Sequence, residues 1–133
     1  MLKIEISDQG CATVTLNRPD MHNAFDEELI AQLKENFSNI AINPDDADEI
    51  MVVYSNYSIY SLFHSKDGGV SWDKVAGNLE QNPSGSGNGP SCRTAEIIPI
   101  GNDTLFLVGT SVGLYGTANL NGANTIWEQI APQ

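Results

Sequence analysis

Ser65-Lys66-Asp67-Gly68-Gly69-Val70-Ser71-Trp72 is the stretch whose chemistry decides the fold. The short acid at Asp67 is suited to tie down the backbone N–H groups of a turn, and glycine at the next two places relieves the positive φ that such turns demand. Trp72 then ends the turn with a large apolar indole that requires a neighbouring surface. Short apolar runs flank it, Leu62-Phe63-His64-Ser65 before and Trp72-Asp73-Lys74-Val75 after, so the stretch reads as the tip of a β-hairpin.

The same pieces recur further along. Leu62-Phe63-His64-Ser65 matches Leu114-Tyr115-Gly116-Thr117, and Trp72-Asp73-Lys74-Val75 matches Trp127-Glu128-Gln129-Ile130. Met51-Val52-Val53-Tyr54-Ser55 matches Phe106-Leu107-Val108-Gly109-Thr110. In the second copy Asn119 stands in the place of Asp67, and the loop before Trp127 is three residues longer. Strands are expected near 39–43, 49–55, 58–64 and 72–76, then near 94–99, 104–110, 112–117 and 125–130. Between the two groups Asn82-Pro83-Ser84-Gly85-Ser86-Gly87-Asn88-Gly89-Pro90 is a flexible loop by composition. A repeat of roughly fifty residues holding four short strands is the signature of propeller blades.

The eight-residue stretch resembles the Asp-box, or BNR, hairpin of sialidase-like and sortilin-like β-propellers, Ser-x-Asp-x-Gly-x-Thr-Trp, with Ser71 in the threonine place. Ile40-Ala41-Ile42-Asn43-Pro44-Asp45 looks like the inner strand and turn that open such blades. The resemblance implies a structural role for Ser65, Asp67, Gly69 and Trp72 at the blade periphery, away from any central site. A sialidase also needs an arginine cluster, and after residue 37 the one arginine is Arg93, so glycosidase chemistry is not expected.

The first 36 residues have another texture. Residues 2–7 and 12–17 alternate as two strands around Ser7-Asp8-Gln9-Gly10. Asn23 is placed as an N-cap, acids follow it, and Phe25, Leu29, Leu33 and Phe37 recur at helical spacing, which predicts a helix over about 24–36. Ala12-Thr13-Val14-Thr15-Leu16-Asn17-Arg18-Pro19-Asp20-Met21-His22-Asn23-Ala24-Phe25 resembles the start of the crotonase family of enoyl-CoA hydratases and isomerases. By that resemblance Met21, His22 and Ala24 are the places where a remnant of coenzyme A binding would lie. The oxyanion donors and catalytic carboxylates of that family have no counterpart after residue 37, and without such donors enolate stabilisation has no source.

The expected fold is therefore mainly β with one helix. Two four-stranded antiparallel propeller-type blades, at about 37–80 and 91–133, follow a crotonase-like hairpin and helix over 1–36. The two textures meet near Asn36–Ser38 without a linker. A natural fusion, a cassette-type reading frame and a laboratory recombinant all fit this composite pattern.

Composition narrows the partners. The formal charge is −11 with only six Lys and Arg among 133 residues, which disfavours nucleic acid and anionic membranes. No apolar run reaches the about 18 residues of a membrane span. Met1-Leu2-Lys3-Ile4-Glu5 alternates where a secretion signal would be apolar, and the cellular compartment is left open. Cys11 and Cys92 read as two buried or unpaired thiols. His22 and His64 read as ordinary surface or turn histidines, and Asp45-Asp46-x-Asp48-Glu49 as a solvated turn rather than a Ca²⁺ loop. Gly85-Ser86-Gly87-Asn88-Gly89 lacks the lysine of a phosphate loop. Tyr54, Tyr57, Tyr60 and Phe63 read as sheet faces.

No cofactor, metal or catalytic set emerges from the sequence. The function expected is a non-enzymatic interaction or scaffold module that self-assembles, since two blades do not close a ring. Assembly would complete a ring from several copies, or the open face would be buried against the hairpin and helix. A carbohydrate-binding or glycosidase-related protein is the alternative by fold analogy, and acyl-CoA binding through the N-terminal segment is a third.

Overall fold

The computed structural model describes residues 2–8, 12–16, 39–55 and 58–132. Strands β1 (Leu2–Ile6) and β2 (Ala12–Leu16) pair antiparallel, with Leu2 opposite Leu16 and Ile6 opposite Ala12, as the alternation anticipates. The predicted helix over 24–36 lies outside the described residues.

The rest is two four-stranded antiparallel meanders. The first comprises β3 (Asn39–Asn43), β4 (Asp46–Val53), β5 (Leu62–Ser65) and β6 (Asp73–Lys74), in that order across the sheet. The second comprises β7 (Cys92–Ile100), β8 (Asp103–Thr110), β9 (Gly113–Thr117) and β10 (Glu128–Pro132), again in chain order. A 3₁₀ turn at Gly77–Leu79 joins them and is the only helical turn among the described residues. The strand expected at 58–64 starts only at Leu62, because Ser58 takes φ 62° and the chain turns there. The 82–90 segment, flexible by composition, is tied down: Asn82 donates to Ser86 Oγ at 3.1 Å, Gln81 accepts from Asn88 N at 2.5 Å, and Gly85 is buried against the backbone of Ile59 and Tyr60.

Register relates the two sheets and corrects one sequence match. In the first, Met51 pairs with His64 and His64 with Asp73; in the second, Leu107 pairs with Gly116 and Gly116 with Glu128. With His64 equivalent to Gly116, Met51 corresponds to Leu107 and not to Phe106. The β4–β8 match is thus one residue out, and a one-residue slip exchanges the faces of a strand. The corrected rows are Ala41–Met51–His64–Asp73 with Glu96–Leu107–Gly116–Glu128, and Ile40–Val52–Phe63–Lys74 with Ala95–Val108–Tyr115–Gln129. We call the face of the first row leading and that of the second trailing.

The leading face of the first sheet packs on the trailing face of the second. His64 meets the Phe106 ring edge-on at 5.6 Å, Asn39 Oδ1 accepts from Ala95 N at 3.1 Å, and Val75 O accepts from the Trp127 indole at 2.8 Å. Met51, Val53, Leu62 and Val75 are buried from one side and Ala95, Ile97, Phe106 and Val108 from the other. Burial of each large apolar side chain contributes roughly 1.5–3 kcal/mol, which makes this junction the core.

Candidate functional site

At the β5–β6 hairpin the four residues singled out from sequence come together. Ser65 Oγ donates to Asp67 Oδ1 at 2.8 Å and accepts from Gly69 N at 2.9 Å. Asp67 Oδ1 also accepts from Ser71 N at 2.8 Å, and Oδ2 from Ser71 Oγ at 2.5 Å. Trp72 folds back over Gly69 and donates its indole N–H to Gly69 O at 3.0 Å. Gly68 and Gly69 take φ of 68° and 89°, the left-handed conformation that favours glycine. The Ser71 hydroxyl, followed by the Ser71 N–H and the Ser65 hydroxyl, holds the Asp67 carboxyl down to about 2. Its charge is spent on the chain's own donors.

The second hairpin closes differently. Thr117 Oγ1 accepts from Asn119 N at 3.2 Å, as Ser65 does from Asp67 N, but the longer loop brings in Thr125. The buried Thr125 hydroxyl accepts from Asn121 N at 2.8 Å and donates to Gly122 O at 2.7 Å.

Trp72 and Trp127 each stand one residue ahead of the fourth strand, yet their partners differ. Trp127, on the covered trailing face, is buried and reaches across to Val75 O. Trp72, on the outer trailing face of the first sheet, is half-buried and bonds within its own turn. Asn78 completes the clasp on Trp127: Oδ1 accepts from Trp127 N at 2.7 Å and Nδ2 donates to Trp127 O at 3.0 Å.

A buried polar cluster lies beside the junction. Glu49 Oε1 meets His64 Nε2 at 2.9 Å, and Glu49 Oε2 accepts from Asn43 Nδ2 at 2.5 Å. His64 is therefore an interior residue, not the surface histidine expected; the acid that satisfies it is fifteen residues away in sequence and becomes its neighbour only through β4–β5 pairing. The cluster borders an open cleft of about 510 Å³ whose lining includes Lys66, Asp73, Asp103 and Asn119. Both Glu49 oxygens are engaged, so the carboxylate serves the fold before any ligand. Asp45 is exposed on the β3–β4 turn and Asp46 and Asp48 at the start of β4, and among the described residues no group of three or more His, Cys, Asp or Glu is placed to hold a metal.

Behind the first sheet, Phe63 packs edge-on against Tyr54 at 5.7 Å and Tyr60 at 5.6 Å. Ser61 donates from both N and Oγ to Glu80 Oε1, next to Cys92. Cys92 is free and buried, and desolvation pushes its thiol up to about 11, the opposite of an activated nucleophile. Cys11, His22 and Tyr57 lie outside the described residues, as do Met21 and Ala24.

Sequence reasoning missed the residues that lock the junction: Gly77, Asn78 and Thr125. Nothing local marks them, since Ala76-Gly77-Asn78-Leu79 reads as any turn and the partner of Asn78 is 49 residues away. No protein-family profile, no curated protein and no solved structure matches the chain. Among the described residues no helix is long and apolar enough to cross a membrane.

Proposed function

We propose that residues 37–133 are two propeller-type blades forming a non-enzymatic interaction or scaffold module whose working surfaces are its open sheet faces. The observation that carries this reading is one packing relation between two sheets of the same topology and register. Among the described residues leading face meets trailing face once, and the outer leading face and the β3 side of the outer trailing face stay exposed. Ile98, Ile100 and Ile130 are exposed on the open leading side, and Ile40 and Ile42 on the open trailing side. Large apolar side chains left exposed on both faces support an interaction role. The Asp67 turn supports the blade reading, since its carboxylate is used up within the hairpin.

The test pairs two measurements. Purified protein is assayed against a panel of fluorogenic glycosides and acyl-CoA thioesters, with no turnover expected. An apolar fluorescent dye is titrated in parallel at a chain concentration where light scattering reads a monomer and is expected to bind, with binding reduced in Ile98→Ser/Ile130→Ser. Turnover abolished by Glu49→Gln, or dye binding untouched by the double substitution, overturns the reading.

A further inference from the structure

We propose that the open leading face of the second sheet and the open trailing face of the first are the two halves of a single joint, closed when a second copy of this chain packs head to tail. This rests on reading the two sheets as successive copies of one stackable unit.

The internal junction is the template. Ile40 and Ile42 on the first sheet are 55% and 56% exposed, whereas their register equivalents Ala95 and Ile97 are 1% and 3% exposed beneath the neighbouring sheet. On this first strand of each sheet the same positions are thus buried where a leading face covers them and bare where none does, while further along the first sheet Tyr54 and Tyr60 already cover Phe63. On the other side, Met51 is fully buried, while its equivalent Leu107 is only half-buried in a row whose neighbour Ile130 is 54% exposed. Gly116, in the place of His64, leaves that row flat, with Leu107 and Ile130 closing over it. The two tryptophans repeat the contrast, since Trp127 bonds a carbonyl of the other sheet and Trp72 one of its own turn.

Charge selects this occupant. Glu128 ends the open leading row on β10, and Glu96 begins it on β7. In the internal junction Asp73, the equivalent of Glu128, shares a cleft with Ala118 of the second sheet. Lys66 is exposed in the place of Ala118, so a head-to-tail joint brings Lys66 of one copy beside Glu128 of the other. Pairing leading with leading would set Glu96 and Glu128 against their own copies, in a chain already at −11. The contact is heterologous, so it propagates until it closes. Propellers typically use about four to eight blades, so rings of about two to four copies are expected.

Sedimentation velocity and light scattering test the joint. The wild-type chain is expected at whole multiples of 14.4 kDa. Ile42→Glu spoils the trailing half and Ile130→Lys the leading half; both side chains are exposed, so the fold is retained, as far-ultraviolet circular dichroism checks. Each variant alone is expected to be monomeric, and an equimolar mixture is expected to form a one-to-one heterodimer, because each supplies the half the other lacks. Lys66→Glu should weaken assembly roughly 1.5- to 5-fold, and adding Glu128→Lys in the same chain should restore it. A wild-type monomer at its highest soluble concentration overturns the joint, as does either single variant assembling to wild-type size, or a mixture that stays monomeric. Dye binding without turnover in a monomeric protein removes the self-association alone and leaves the module reading standing.

Discussion

Gly77→Ala tests whether the two sheets are held as closely as the junction requires. A Cβ at position 77 would overlap the Thr125 carbonyl oxygen and stand 2.7 Å from its carbonyl carbon, inside the 3.0 Å that real Cβ atoms keep. The residue also has φ 49°, where a side chain costs about 1–2 kcal/mol. Relief requires the 121–127 loop to back away, which stretches the Asn78 bonds to Trp127 N and O from 2.7 and 3.0 Å. Each such bond is worth about 0.5–1.5 kcal/mol net, so the total loss should reach about 3 kcal/mol or more. Gly101→Ala supplies the control: its φ is 62°, and nothing lies within 4 Å of the added methyl, so only the backbone cost of about 1–2 kcal/mol applies. Urea unfolding of both variants and wild type, followed by tryptophan fluorescence at equal chain concentration, measures the difference. Equal destabilisation by the two alanines would refute the close approach of Thr125 to the 3₁₀ turn.

Three further outcomes follow from the same geometry. Because Asp67 titrates at about 2 when folded, its contribution is present above the ordinary carboxylate value of 3.8 and is lost as pH falls from there towards 2. Asp67→Asn should therefore flatten the acid limb of the stability–pH curve in that window. Ser71→Ala should raise the Asp67 pKa, read from its carboxyl carbon shift by NMR. On a Cys11→Ser background, Cys92 should resist iodoacetamide in the native state at pH 8 and react once urea unfolds the chain, as a buried thiol held up to about 11 requires.

Much of the fold was legible because turn chemistry and strand period are local. The Asp67 hairpin needs only residues 65–72, and the Asn43-Pro44-Asp45 turn separates β3 from β4, although β4 starts at Asp46, ahead of the strand expected from 49. What escaped depends on partners distant in sequence. Met51-Val52-Val53 and Phe106-Leu107-Val108 are unbroken apolar runs with no alternation to fix register, so a match one residue out looked as good as the true one. The fourth strand was expected over five residues near 72–76 but runs only over Asp73–Lys74; Val75 N still donates to Leu62 O at 3.0 Å while its carbonyl turns to the Trp127 indole. His64 looked solitary because Glu49 joins it only by strand pairing. The junction clasp is formed by ordinary turn residues that gain a role only when the sheets meet.

The hydroxyl of Thr125 has a consequence for acid tolerance. The first hairpin is stapled by a carboxylate that loses its charge in strong acid, whereas the second is stapled by an alcohol with no proton to gain across that range. The half of the molecule that carries the neutral staple also grips the other half through Trp127. Acidification should thus loosen the Ser65–Trp72 tip first while the seam between the sheets persists.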